Sequence, residues 1–346
     1  MLKGLEDFNV KEKRILVRCD FNVPLDNKGD ILDDFRIKET LPTIKYLIGN
    51  KAKIILMSHL DNPDSSVTSS LNVVKDRLEE LLNISLIKMD DCIGAEAQEK
   101  ANNLKSGQVL LLENLRFHKE EFDNDQLFAK NLAKLGDIYI NDAFAVCHRA
   151  HASVVGVPKY LPKGAGFLLI KEIESLKNIL INPKRPMIAL IGGKNVQTKS
   201  KFIETFLKIA DLVIINGFIK KELAEKQYSN ILKNVMILSP QDNLDSLDIS
   251  DKTIEIFRDK ILSAKTVLWN GPFGKFEDEN YKKGTLAIAK AIIESKAFSV
   301  VGGGETIEFL NKEGIVSKFN HVSTGGGAML QFLSGEKLPG LIALES

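Results

Sequence analysis

Short, unbroken apolar runs alternate along the whole chain with longer stretches whose apolar positions recur at helical spacing. The runs are Arg14–Cys19, Lys53–Ser58, Gln108–Leu112, Ile138–Asn141, Met187–Ile191, Leu212–Ile215, Val235–Leu238, Lys265–Trp269, Phe298–Val301 and His321–Ser323. Most are rich in β-branched residues and lack polar alternation, the pattern of strands buried on both faces. Between them, helices are predicted over Lys38–Gly49, Val73–Leu82, Asp125–Leu135, Leu169–Leu180, Lys199–Ile209, Thr253–Leu262, Tyr281–Lys296 and Thr306–Lys312. Strand followed by helix, repeated, means βαβ units and an α/β fold with parallel sheets. About ten strands suit two open sheets better than one.

The seam between the two sheets is expected near residues 160–185. Pro158, Pro162, Gly164 and Gly166 punctuate the chain there, and Pro183 and Pro186 close the amphipathic stretch Leu169–Leu180, which is read as a helix joining two halves. A length of 346 residues fits about two domains at roughly 150 residues each. Apolar residues at 44% and charged residues at 27% exclude a disordered or fibrous chain. Lys plus Arg at 47 against Asp plus Glu at 46 leaves no global field for nucleic acid or an anionic membrane, so anion binding must come from local arrangement. No apolar run reaches the ~18 residues of a membrane span, and the first residues lack the character of a secretory signal. Cys19, Cys92 and Cys147 are widely spaced with no C-x-x-C pair, which fits a reducing, cytoplasmic setting.

In open α/β sheets ligands sit beyond the carboxyl ends of strands. After the first run, Asp20 and Asn22 place a carboxylate and an amide two residues apart, suited either to the hydroxyls of a small polyol or to closing an Asx turn. Arg36, His59, Arg116 and Arg149 each lie beyond a strand end in the first half. Converging on one rim, their forked donors would suit a small, multiply anionic metabolite. His148 and His151 are three apart without a third metal ligand nearby, so hydrogen bonding or anion contact is expected of them.

The second half changes from arginines to glycines. Gly192-Gly193, Gly302-Gly303-Gly304 and Gly325-Gly326-Gly327 each follow a strand, and the last two open helices. Such turns let backbone N–H groups and a helix N-terminus meet an anion, and three of them point to a polyphosphate of the kind a nucleotide carries. Neither a Walker A sequence nor G-x-G-x-x-G is present, which disfavours a P-loop NTPase and a nicotinamide-dependent oxidoreductase. The turn Trp269–Glu277 offers Asn270 and Glu277 to ribose hydroxyls, or is a structural turn around a buried Trp. An anion on each half implies transfer between them, with closure to align the two.

The segments LVRCDFNVPL, DDFRIKETLPTI, ILMSHL, LLLENLRFHKEE, INDAFAVCHRAHAS, TVLWNGPFGKFE, VGGGET and STGGGAMLQFLSGEKLPG closely resemble phosphoglycerate kinases, in that family's order and over nearly the whole chain. The resemblance implies two Rossmann-like domains with parallel sheets, joined by an interdomain helix. The expected division is 1–165 for the glycerate substrate, 166–180 for the helix and 181–330 for the nucleotide, with 331–346 packing back on the first domain. It also implies a monomer that carries phosphoryl groups reversibly between 1,3-bisphosphoglycerate and ADP with Mg2+, giving 3-phosphoglycerate and ATP. Carried over by position, Asp20, Asn22, Arg36, His59, Asn62, Arg116 and Arg149 resemble the substrate-binding set. Gly192, Gly193, Lys199, Gly217, Asn270, Pro272, Glu277, Gly302, Gly303, Glu305 and Thr306 resemble the nucleotide-binding set, with Glu305 as the magnesium ligand. Arg36, Lys194, Lys199, Gly303, Gly304 and Gly326 are expected around the group in transfer, where alignment and charge neutralisation suffice without a general base.

Four departures from the family pattern accompany the match. The pattern S-H-L-G-R-P reads Ser58-His59-Leu60-Asp61-Asn62-Pro63 here, so an arginine becomes Asn62 and Asp61 adds a negative charge. In G-G-A-K-V-S-D-K the lysine becomes Asn195, with Lys194 one place early. The acid after the triple glycine is Glu305 in place of aspartate, and the segment bordering adenine is reduced to Asn216-Gly217-Phe218-Ile219, with shortening between Ile219 and Thr253. Two functions follow from this pattern. One is a working phosphoglycerate kinase; the other is a catalytically impaired relative that binds an anionic metabolite or a protein partner.

Overall fold

The computed structural model describes residues 2–61, 69–194, 196–224, 229–242 and 246–345. Asn62 and Asn195 fall outside the described residues, as do the side chains of 196–198. The chain divides into two compact units, Met1–Glu172 together with Lys337–Ser346, and Ile173–Glu336. The helix Phe167–Ile181 runs across the division in sequence.

The first unit holds a six-stranded, all-parallel sheet. Its strands are β1 (Arg14–Arg18), β2 (Lys53–Met57), β3 (Ile87–Lys88), β4 (Val109–Leu111), β5 (Ile138–Asn141) and β6 (Lys163–Ala165), in the order β3-β4-β2-β1-β5-β6. The second unit repeats the plan with β7 (Met187–Ile191), β8 (Leu212–Ile215), β9 (Ile237–Leu238), β10 (Thr266–Asn270), β11 (Phe298–Gly302) and β12 (His321–Val322), in the order β12-β11-β10-β7-β8-β9. Ile15, Leu16, Val17, Ile54, Ile55 and Leu56 are all fully buried although neighbours point to opposite faces. Helices therefore cover both faces, as the unalternating runs require.

Strand order reverses between β1 and β5 in the first sheet and between β7 and β10 in the second. Each reversal opens a crevice at the carboxyl ends of the strands. Those ends carry Cys19-Asp20 and Asn141-Asp142 in one unit, and Gly192-Gly193 and Asn270-Gly271 in the other.

Three differences from the sequence pattern have local causes. β6 lies in the expected seam, where Gly164 interrupts the apolar pattern and hides the strand. A Cβ at Gly164 would sit 2.6 Å from the Phe8 ring and 3.0 Å from the Lys3 carbonyl, so the close pass of the N-terminal segment requires glycine inside a strand. β3 has only two residues at a sheet edge and no apolar run to announce it. β9 is shorter than Val235–Leu238, because Asn234 turns the chain by accepting from Met236 N, leaving Val235 exposed.

Candidate active site

Backbone ties bring the strand ends of the first unit together. Phe21 N donates to Ser58 Oγ at 2.8 Å, fastening the turn after β1 to the end of β2. Asn114 does the same for the turn after β4: its Nδ2 donates to Leu60 O at 2.7 Å, and its Oδ1 accepts from Arg116 N at 3.0 Å. Asp20, His59 and Arg116 are thereby placed on one rim.

The rim is charged and under-bonded. Arg36 Nη1 donates to Asn22 O at 3.0 Å and lies 3.0 Å from Asp20 Oδ2, an ion pair without hydrogen-bond alignment. Asp20 Oδ2 is thus a buried acceptor with no hydrogen-bond partner among the described residues. Asn22 Oδ1 accepts from Asp61 N at 2.9 Å, so the amide oxygen is engaged. Arg116 pairs through Nη1 with Asp61 and lies over the Phe122 ring, while its buried Nε and Nη2 have no hydrogen-bond partner among the described residues. Burial, with Arg149 and Arg18 adding like charge, holds Arg116 down at a pKa of about 10. Arg149 itself is exposed.

The histidines report the same field. His59 is buried, and desolvation together with Arg18, Arg116, Arg36 and Arg149 pushes its pKa well below the ordinary histidine value. His151 falls to about 4 for the same reasons, burial first and then the arginines. His148 also falls, through burial and Arg149. Among the described residues both His148 and His151 keep a buried Nδ1 without a hydrogen-bond partner, that of His151 lying 3.9 Å from Glu121 Oε1.

Arg18, which the sequence pattern places inside the first strand, joins this rim. It ends β1 fully buried, with Nε donating to Ser153 Oγ at 2.8 Å and Nη2 lying 3.2 Å from His59 Nδ1. Its signal in the sequence was a charge inside an otherwise apolar run, since Arg is rarely buried without a partner.

In the second unit the glycines meet. Gly192 N donates to Asn270 O at 2.9 Å and Gly193 N to Pro272 O at 2.8 Å, joining the ends of β7 and β10. A Cβ on Gly192 would stand 2.2 Å from Pro272 O, so no side chain fits there. Gly303 adopts φ +100° as it opens the helix Gly304–Lys312, and its Cα lies 3.7 Å from where a Cβ on Gly326 would be. Thr306 Oγ1 accepts from Gly271 N at 3.0 Å. Asn270 is buried, its Nδ2 without a hydrogen-bond partner among the described residues and 3.2 Å from a Cβ built on Gly303. Gly302 packs against Met329, 2.4 Å from its sulfur if given a Cβ.

Lys199 is buried among these turns and donates to Gly192 O. Burial lowers its pKa to about 8, against a smaller opposing effect of Glu305. Glu305 is exposed in the first helical turn after the triple glycine. Gly217 starts a helix beside Phe218, and both line a small hollow with Pro240, Ser246, Asp248, Ile249 and Phe273. Lys194 and Glu277 are exposed, and no hydrogen bond or ion pair joins Glu277 to the other candidates among the described residues.

The phosphoglycerate kinase family model matches residues 5–243 and 221–336. Overlap of the two matches at 221–243 falls in the region where the sequence departs by shortening. The phosphoglycerate kinase of Dictyoglomus turgidum is 43% identical over 387 aligned positions, covering 99% of this chain and 98% of that protein. That of Chlorobium phaeobacteroides is 42% identical, covering 99% of each. The chain belongs to the phosphoglycerate kinase family. Solved structures agree: the Pyrococcus horikoshii enzyme matches with a TM-score of 0.91 at 36% identity, over 100% of this chain and 98% of that one. The Coxiella burnetii enzyme gives 0.83 at 34% identity, over 100% and 99%. The chain is therefore a phosphotransferase with two parallel-sheet α/β units, acting as a phosphoglycerate kinase; nothing in these similarities favours the impaired, binding-only alternative.

Proposed function

We propose that the first unit binds 3-phosphoglycerate or 1,3-bisphosphoglycerate and the second binds ADP or ATP, with the phosphoryl group passing directly between them. The reading rests most on the buried Nε and Nη2 of Arg116, which have no hydrogen-bond partner among the described residues, together with Asp20 Oδ2, whose one close neighbour is the Arg36 guanidinium. Buried polar atoms normally have partners, and an anion that also bears a hydroxyl supplies both kinds. Asp20 takes the hydroxyl; Arg36, Arg116, Arg149 and His59 take the acid and phosphate oxygens. Asn62, outside the described residues, belongs to this set only by its position in the sequence.

On the nucleotide side, the amides of Gly303, Gly304 and Gly326, the helix N-terminus they open and Asn270 Nδ2 all offer donors to phosphate oxygens. Lys199 adds a charge that a bound phosphate would draw away from Gly192 O. Gly217 and Pro272 border the base, with Glu277 toward the ribose. Glu305 fits a hard divalent cation, because an exposed carboxylate plus substrate phosphates is the usual donor set for Mg2+. When bound, Mg2+ neutralises charge shared between the phosphates. Arg36 and Lys194 would steady the equatorial oxygens, and the attacking oxygen, already ionised, needs no general base.

Three free, buried cysteines fit work in the reducing cytoplasm, and we propose a monomer there. Calorimetry with 3-phosphoglycerate tests the acid site. The parent should bind and Arg116→Gln should lose about tenfold or more in affinity. Equal affinities would overturn the assignment.

A further inference from the structure

We propose that Arg18 is a positioning residue that fixes His59 as its Nε2–H tautomer, so that His59 meets the acid substrate as a hydrogen-bond donor. Arginine carries donors only and does not lose its charge in proteins. Its Nη2 lies 3.2 Å from His59 Nδ1, so that nitrogen has to accept, and the ring proton is left on Nε2. The competing partner of Nδ1 is Asp20 Oδ1 at 3.9 Å, beyond hydrogen-bond range. Nε2 has no hydrogen bond to another described residue.

Arg18 is itself held in place. Nε donates to Ser153 Oγ at 2.8 Å, and Nη1 donates to Cys19 O. Ser153 in turn gives Oγ–H to Glu121 Oε1 at 2.5 Å and its backbone N–H to Glu121 Oε2 at 2.8 Å. Ser153 thus links the buried guanidinium to the fully buried Glu121 carboxylate. The chain from Glu121 through Ser153 and Arg18 to His59 orients the ring from below, as a buried partner on the other nitrogen commonly does for a functional histidine. The groups facing His59 are Arg18, Arg36, Arg116 and Arg149, with Asp20 as the opposing charge. A second proton on the ring would be repelled by all four arginines. The His59 ring therefore contributes direction to the site and leaves the positive charge to the guanidinium groups.

The inference rests on reading this rim as the acid-substrate site, and its test separates the two. Ring nitrogens of the full-length, 15N-labelled protein are observed by long-range proton–nitrogen correlation near pH 7.5, without substrate. A His59→Gln variant assigns the signal. The parent should show a bare Nδ1 and a protonated Nε2. Arg18→Met should mix the tautomers and raise KM for 3-phosphoglycerate about tenfold, with KM for ATP unchanged and kcat moved less; Arg18→Lys should recover part of both effects. A protonated Nδ1, or an imidazolium, in the parent would overturn the proposal even if no variant folds. So would ring signals and KM in Arg18→Met equal to those of the parent. An inactive parent with the expected ring pattern would fault the functional reading alone.

Discussion

Arg116 shows how one sequence departure acts at a single side chain. Asp61, where the family pattern has glycine, engages Arg116 Nη1, leaving Nε and Nη2 for an anion. Asp61 is exposed, so the pair itself contributes little to stability, yet its charge opposes any acid that approaches. Asp61→Asn should lower KM for 3-phosphoglycerate a few-fold in steady-state kinetics, with kcat nearly constant. A buried acid gives a second test. Burial pushes Asp142 up to about 7, while its Oδ1 accepts from Leu168 N and Leu169 N at the start of the helix Phe167–Ile181. With a folded pKa above the unfolded value, the folded state binds more protons between about pH 4 and 7. Stability from this group is present below that window and is lost as pH rises through 7. Asp142→Asn should flatten that decline when urea unfolding is compared at pH 5 and pH 7.5. For Lys199, the lowered pKa of about 8 implies that kcat/KM for ATP falls as pH rises above 8 in the free enzyme, and Lys199→Arg should remove that limb. Asp20, His59 and Arg116 stand out in the sequence because each comes shortly after an apolar run, and Arg36 because it is a cation in a short acidic loop. Arg18 and Glu121 do not, because their roles depend on Ser153, distant in sequence, lying between them.

Elements were legible where their interiors were apolar and unbroken. Ile138–Asn141, Met187–Ile191 and Leu212–Ile215 match the sequence pattern to the residue. Edge strands β3 and β6 escaped, since a two-residue strand carries no period and a glycine strand reads as a turn. Glycine signals proved more specific than their commonness suggests. Gly192 sits where β7 and β10 end together, and the carbonyls of Pro272 and Gly271 would lie 2.2 Å and 2.6 Å from its Cβ. Backbone cannot yield as a side-chain tip can, so Gly192→Ala should cost about 2 kcal/mol or more in urea unfolding. The same substitution should raise KM for ATP, because it displaces the turn that carries Gly193 and faces Lys199. Alanine at Gly326, whose nearest neighbour would be 3.7 Å away, should leave stability nearly unchanged by contrast.

At the scale of the whole chain, each unit encloses its own sheet and its own strand-order reversal, which is why motifs of one chemical style cluster in each half of the sequence. Lys337–Ser346 belongs to the first unit despite lying at the far end of the chain. Gly340 N donates to Cys147 O at 2.8 Å, and Leu338 and Leu344 are buried. Two buried leucines contribute about 1.5–3 kcal/mol each, so a chain ending at Glu336 should lose several degrees in Tm by calorimetry. Composition and apolar period alone carry no sign of this return. Direct transfer between an acyl acid and a nucleotide is the claim on which these readings depend. Phosphorus NMR of the purified chain with ATP, 3-phosphoglycerate and Mg2+ observes it without a coupling enzyme. ADP and an acyl phosphate should form together, stop when Mg2+ is chelated, and slow by about 10²–10³ in Arg36→Ala with Tm nearly unchanged. Binding of 3-phosphoglycerate and ATP with no exchange of phosphorus between them would contradict it.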